Sequence, residues 1–181
     1  MESKLIFCVL FGIFIASSFD FNDAVVFKFT NVVCESFNKS WFVFHNCRLK
    51  AVSRSKVTLN MNATILHPTN DMTCHAQMFK RASGYKPWLM NIKLDVCLFL
   101  RRKNNPFFSI VYSFFKDLSN FNHTCPYVGA IIVKDVYLRP ELLRLAMPTG
   151  DYLLSMKWYY YQKHQFDMNF SFTFVEDLLQ S

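Results

Sequence analysis

The adjacent pair Cys74-His75 offers a nucleophile beside a base. A thiol becomes a useful nucleophile only when a base or a lowered pKa gives it thiolate character. Neighbours on a strand point to opposite faces, so the pair cannot meet if this segment is extended. No G-x-S-x-G motif and no glycine-rich phosphate loop occur, and the acidic residues are few and mostly solitary. The five histidines (His45, His67, His75, His123, His164) are scattered, without C-x-x-C or H-x-x-x-H spacing. No catalytic residue, no metal and no cofactor are therefore expected. Binding is the better expectation.

The remaining chemistry is oxidation, which depends on compartment. The chain opens with Lys4, an apolar stretch from Leu5 to Ile15, then Ala16, Ser17 and Ser18 before Asp20. This is the layout of a secretory signal peptide, with cleavage expected after Ser18. The stretch is shorter than the roughly 20 residues that span a bilayer. Residues 1–18 are thus read as a signal and 19–181 as a single domain that is secreted and extracellular. Beyond Cys8, the cysteines are Cys34, Cys47, Cys74, Cys97 and Cys125, an odd set in an oxidising compartment. Four N-x-[ST] triplets, at Asn38, Asn62, Asn122 and Asn169, are candidate glycosylation sites. A glycosylated asparagine must face solvent.

That requirement gives strand orientation. From Ser55 to Ile65, Val57, Leu59, Met61, Ala63 and Ile65 alternate with polar residues that include Asn62. This is a half-buried antiparallel strand. Phe166, Met168, Phe170, Phe172 and Phe174 alternate in the same way with Asp167, Asn169, Ser171 and Thr173. Before them, Tyr152, Leu154, Met156, Trp158 and Tyr160 form another apolar phase, and Gln162–Gln165 is read as the hairpin turn. Trp88, Met90, Ile92, Leu94 and Val96 give a further strand, and residues 24–33, 42–51, 73–80 and 130–138 read as less regular ones. One segment departs from period two. After Asn105-Pro106, an N-cap and N1 pair, Phe107, Val111, Phe114, Phe115 and Leu118 recur at helical spacing. A short helix is also read at Pro140–Leu145. The fold class is mainly β, a β-sandwich with one helix inserted between strands and covering one end or edge.

The net charge is +7, with basic residues in short scattered groups rather than a stripe. Nucleic-acid binding is not expected, whereas attraction to anionic lipid head groups or acidic glycans is compatible with this charge. The 21 Phe, 8 Tyr, 3 Trp and 8 Met of the chain fill a close-packed core, or line a cavity between splayed sheets. Composition does not separate the two.

The strings FTNVVCES (29–36), CRLKAV (47–52), FKRASGYKPWLMNIKLDVCLFL (79–100), NPFFSIVYSFFKDLSNFNHTCPY (105–127) and GDYLLSMKWYY (150–160) resemble an insect family of secreted proteins, domain of unknown function 1091. That family is similar to the ML lipid-recognition superfamily, whose β-sandwiches open onto an apolar pocket. The resemblance implies an ML-like or immunoglobulin-like sandwich and a chemosensory role. It also implies that Cys34, Cys47, Cys97 and Cys125 are the disulfide cysteines, Cys34 with Cys47 and Cys97 with Cys125. Cys74 departs from the pattern and is read as a buried free thiol, with an intermolecular bridge as the alternative.

The function expected is a secreted, non-enzymatic binding protein for small hydrophobic molecules, whether lipid, sterol or hydrocarbon-like. The alternative is a glycosylated extracellular interaction module with a filled core. The ligand-binding residues expected from the inward phases are Leu59, Met61, Ile92, Leu94, Leu154, Met156, Trp158, Phe170 and Phe172. Phe107, Val111 and Phe114 of the helix close the pocket. Arg101, Arg102 and Lys103 are read as a solvated cluster, with an anionic head group as the competing role. Partners are a small apolar ligand and a membrane receptor or membrane surface, with no nucleic acid, and the chain is expected to act as a monomer.

Overall fold

A computed structural model describes residues 25–143 and 146–176. The proposed signal peptide lies outside them. Among the described residues, eight strands form two antiparallel sheets packed about a common core. They are β1 (Val26–Ser36), β2 (Phe42–Ala51), β3 (Val57–Thr69), β4 (Met72–Ala82), β5 (Gly84–Asp95), β6 (Tyr127–Val136), β7 (Gly150–Tyr160) and β8 (Lys163–Val175). One sheet has the order β1-β8-β7-β4-β5 and the other β2-β3-β6.

The alternating segments set the layers. Leu59, Met61, Ala63 and Ile65 of β3 are buried, as are alternate residues of β7 from Tyr152 to Tyr160 and of β8 from Phe166 to Phe174. The β7–β8 hairpin is tighter than the sequence suggested: Tyr160 pairs with Lys163, and both Tyr161 and Gln162 have positive φ (48° and 63°). A two-residue turn of this kind normally carries Asn or Gly, and their absence hid it. Tyr161 is instead held by donating its hydroxyl to Asn70 Oδ1 at 3.0 Å.

The single inserted helix is corrected to two, with a 3-10 turn at Pro140–Leu142 where a short helix over 140–145 was expected. Helix α1 (Val96–Arg102) follows β5 directly and is N-capped by Asp95, whose side chain accepts from Leu98 N at 2.9 Å. Val96, read as the last residue of a strand, is the first of this helix. Its run Val96-Cys97-Leu98-Phe99-Leu100 is apolar throughout, so periodicity could not distinguish strand from helix. Helix α2 (Pro106–Phe115) begins as the sequence indicates, with Pro106 at its first turn and Asn105 Oδ1 accepting from Phe108 N at 2.9 Å. It ends at Phe115, so Leu118 lies beyond it.

Two disulfides tie the layers: Cys34–Cys47 joins β1 to β2, and Cys97–Cys125 joins α1 to the segment before β6. Cys74, on β4, is fully buried and unpaired among the described residues. Burial pushes its thiol pKa far up, so it stays protonated and unreactive.

Candidate functional site, an apolar cavity between the sheets

The inward residues of the two sheets do not meet everywhere. Between them lies a cavity of about 160 Å³. Its floor is β7 and β8, from Leu154 to Trp158 and from Phe166 to Phe172, with Phe27 and Phe29 of β1 and Met78 of β4 beside them. Its roof is Phe42 of β2, Leu59, Met61 and Ile65 of β3, and Ile131, Val133 and Val136 of β6. One face of α2 closes the side, through Phe107, Ile110, Val111, Phe114 and Phe115. Phe121, Leu138, Leu143, Met147 and Tyr160 complete it.

Helix α2 can serve as this wall because nearly all its faces are apolar. While Phe107 and Val111 face the cavity, Phe108 and Tyr112 are buried against Phe99 of α1, at ring distances of 5.0 and 5.7 Å. Arg139 fastens the other end: its Nη2 donates to the carbonyl oxygens of Ser113 (3.1 Å) and Phe114 (3.4 Å), which the helix leaves unpaired. The half-buried lining residues are Phe107, Ile110, Val111 and Phe115 of α2 with Leu138 and Leu143; all the others are buried. The cavity therefore comes closest to solvent between α2 and residues 138–143.

Every lining side chain is aliphatic, aromatic or methionine, and their polar atoms are the Trp158 ring nitrogen and the Tyr160 hydroxyl. Trp158 Nε1 is buried without an acceptor, and burial raises the Tyr160 pKa strongly, so neither group carries charge in the neutral range. Among the described residues no cluster of three His, Cys, Asp or Glu could hold a metal ion. Such a lining offers apolar contact and no charged group to whatever occupies the space.

Ten of the twelve residues expected at the pocket come together here: Leu59, Met61, Phe107, Val111, Phe114, Leu154, Met156, Trp158, Phe170 and Phe172. Ile92 and Leu94 do not. They lie on β5, the edge strand beyond β4, opposite Ala76 and Cys74, and α1 packs over β4 and β5 there. Alternation told which way these two face but not how far along the sheet they sit. Residues the sequence reading passed over include Phe27, Phe29 and Phe42, on its less regular strands, and Leu138, Leu143 and Met147, on a connection with no periodicity. Of the basic cluster, Lys103 is committed elsewhere: its Nζ lies 3.9 Å from the Tyr112 ring and 4.9 Å from that of Phe99. Desolvation and the nearby Lys116 lower its pKa. Arg101 turns back to the Cys97 carbonyl at 3.3 Å. Among the candidate glycosylation sites, Asn62 and Asn122 are exposed, while Asn38 and Asn169 are half-buried.

The family described as a protein of unknown function (DUF1091) matches residues 74–154. That span runs from β4 through both helices and β6 into β7, and so includes the helical wall, the Cys97–Cys125 bond and the 138–143 segment. It supports the resemblance carried by the strings at 79–100 and 105–127; those at 29–36 and 47–52 lie outside it. A search of curated proteins finds no match.

Proposed function

We propose that the chain is a secreted, non-enzymatic carrier of small apolar molecules, built on an ML-like sandwich and presenting its ligand in a chemosensory setting. The observation that carries this reading is the cavity of about 160 Å³ lined throughout by apolar side chains. An engineered apolar cavity of about 150 Å³ in another protein stays dry and takes up benzene. This volume therefore suits a single ring or a short hydrocarbon-like chain. Larger guests need the wall to yield, and Met61, Met78, Met147, Met156 and Met168 supply flexible side chains for that. Two disulfides favour an oxidising compartment. No helix among the described residues is long and apolar enough to cross a membrane.

The test has two parts. An apolar extract of the purified protein is analysed by mass spectrometry, and uptake of a naphthylamine probe is measured against fatty acids of increasing chain length. A carrier brings lipid with it or takes up a probe. An empty extract together with no uptake of any probe would replace this reading with the interaction module.

A further inference from the structure

The end of the molecule nearest the mouth differs in character from the opposite end. At the mouth end the β2–β3 hairpin turns through residues 52–56, the β4–β5 hairpin turns at 82–84, and β6 leads into Leu138. The two sheets are joined there by Lys28 of β1, whose Nζ donates to the Arg54 carbonyl at 2.9 Å. Each hairpin tip carries an apolar side chain held out in solvent: Val52 is 56% exposed and Tyr85 41%. Bases flank each, Arg54 and Lys56 in one case, Arg81 and Lys86 in the other, and neither 50–70 nor 72–94 contains an acidic residue. Lys56 Nζ sits 3.8 Å from the ring of Tyr137, and the Arg139 guanidinium lies 5.7 Å from it, so positive charge continues from the tip to the rim.

Among the described residues the acidic groups at this end are Asp117, Asp135, Glu141, Asp151 and Glu176. Two are engaged: Asp135 accepts from Thr58 and Asn60, and Asp151 accepts from Thr173 at 2.6 Å and lies 3.8 Å from Arg81. Among the described residues the opposite end carries Lys39, Lys163 and the Arg101, Arg102 and Lys103 group with Glu35, Asp71 and Asp95, a smaller excess in which Arg101 is turned to the Cys97 carbonyl and Lys103 lies over the Tyr112 ring.

We propose that the mouth end docks on an anionic phospholipid bilayer, with the two tips as its contacts. An exposed apolar side chain ringed by Lys and Arg is the composition that enters a negatively charged head-group layer. Two separate tips of this kind make little shaped surface for a folded partner, but both can reach a fluid plane at once. The docked orientation turns the least buried part of the cavity wall toward the hydrocarbon. In that respect the proposal rests on the carrier reading, since it makes the bilayer the source or sink of the ligand.

The test is co-sedimentation of the purified chain with phosphatidylcholine vesicles containing or lacking phosphatidylserine, at low and at high salt. The expected result is sedimentation with phosphatidylserine vesicles that high salt abolishes. A double substitution at the tips, Arg54→Glu with Lys86→Glu, should weaken it roughly tenfold or more. The far-end control Lys39→Glu with Lys163→Glu should leave it intact, and thermal melts of both variants should show that each folds. Tip variants should still take up a probe in solution. Failure of the wild type to sediment with anionic vesicles overturns the proposal, as does an equal loss in the far-end variant. Tip-dependent retention on an acidic polysaccharide or protein without vesicle binding also overturns it and assigns the tips to that partner. If the wild type sediments with vesicles but takes up no probe, docking stands and the carrier reading fails.

Discussion

The two long edges of this molecule are closed in opposite ways. At one edge β1 and β2 come into direct contact: Cys34 bonds to Cys47, Ser36 donates to the Phe42 carbonyl at 2.5 Å, and Phe42 stacks on Phe166 at 3.8 Å. At the other edge β5 and β6 do not pair. The chain between them forms α1, α2 and a return segment, tied by Cys97–Cys125, and Asn120 covers the outer edge of β6 by bonding Ala130 O and Ile132 N, both at 2.7 Å. A strand that meets its neighbour lets aromatic rings pack to native density. A helix wedged in its place holds the sheets apart, and the cavity is the space left over. The pocket therefore belongs to the inserted segment more than to the sheets it separates.

The largest expected break in that comparison is at the tight edge. Phe42→Ala removes a fully packed ring and should cost about 3–5 kcal/mol in urea unfolding, whereas Phe107→Ala on the half-buried helical wall should cost about 1 kcal/mol. Comparable costs at the two positions would mean that the helical edge is as tightly packed as the other.

The disulfides come next. Replacing Cys34 and Cys47 together opens a 13-residue separation, and replacing Cys97 and Cys125 a 28-residue one. Loop entropy assigns them roughly 3 and 3.5 kcal/mol. Their stability effects should thus be close while their functional effects diverge. Loss of Cys97–Cys125 frees the helical wall and should abolish probe uptake, and loss of Cys34–Cys47 should leave uptake intact in the folded fraction.

A smaller effect comes from groups buried in neutral form. Cys74 and Tyr160 have strongly raised pKa values from burial, and Tyr127 is pushed up to about 12 by burial, partly offset by the hydrogen bond its phenol oxygen accepts from the His123 backbone N–H. These groups stay protonated in the folded state while the unfolded chain loses the same protons above their ordinary values of 9.0 and 10.0. Their contribution is complete below about pH 8 and falls as pH rises, by about 1.4 kcal/mol per pH unit for each group passed. Unfolding free energies measured from pH 7 to pH 11 should be flat and then decline, and Cys74→Ala should move the onset of the decline up by about one unit. An onset unchanged in that variant would contradict the burial assigned to the thiol.

How much of this was legible in the residues follows from where a period exists. β3, β7 and β8 alternate cleanly, and their inward side chains make the cavity floor and part of its roof as read. Helix α2 was visible from its cap and stripe. Its second apolar face, Phe108 and Tyr112, was not, because it packs on a helix the sequence disguised as the end of a strand. Ile92 and Leu94 were misplaced because alternation fixes facing and not distance from the centre of the sheet. The rim at 138–147 has no period at all, and its lining residues are known only from where the chain returns to β7.

The claim that the sheets are held apart around usable space is tested most directly by Met156→Trp. Met156 is 4% exposed and lines the cavity floor. With room beside it, the larger ring should fill the cavity, abolish uptake of the naphthylamine probe and leave the melting temperature nearly unchanged. A destabilisation of about 1–3 kcal/mol from overpacking, with no uptake by the wild type to lose, would contradict the account.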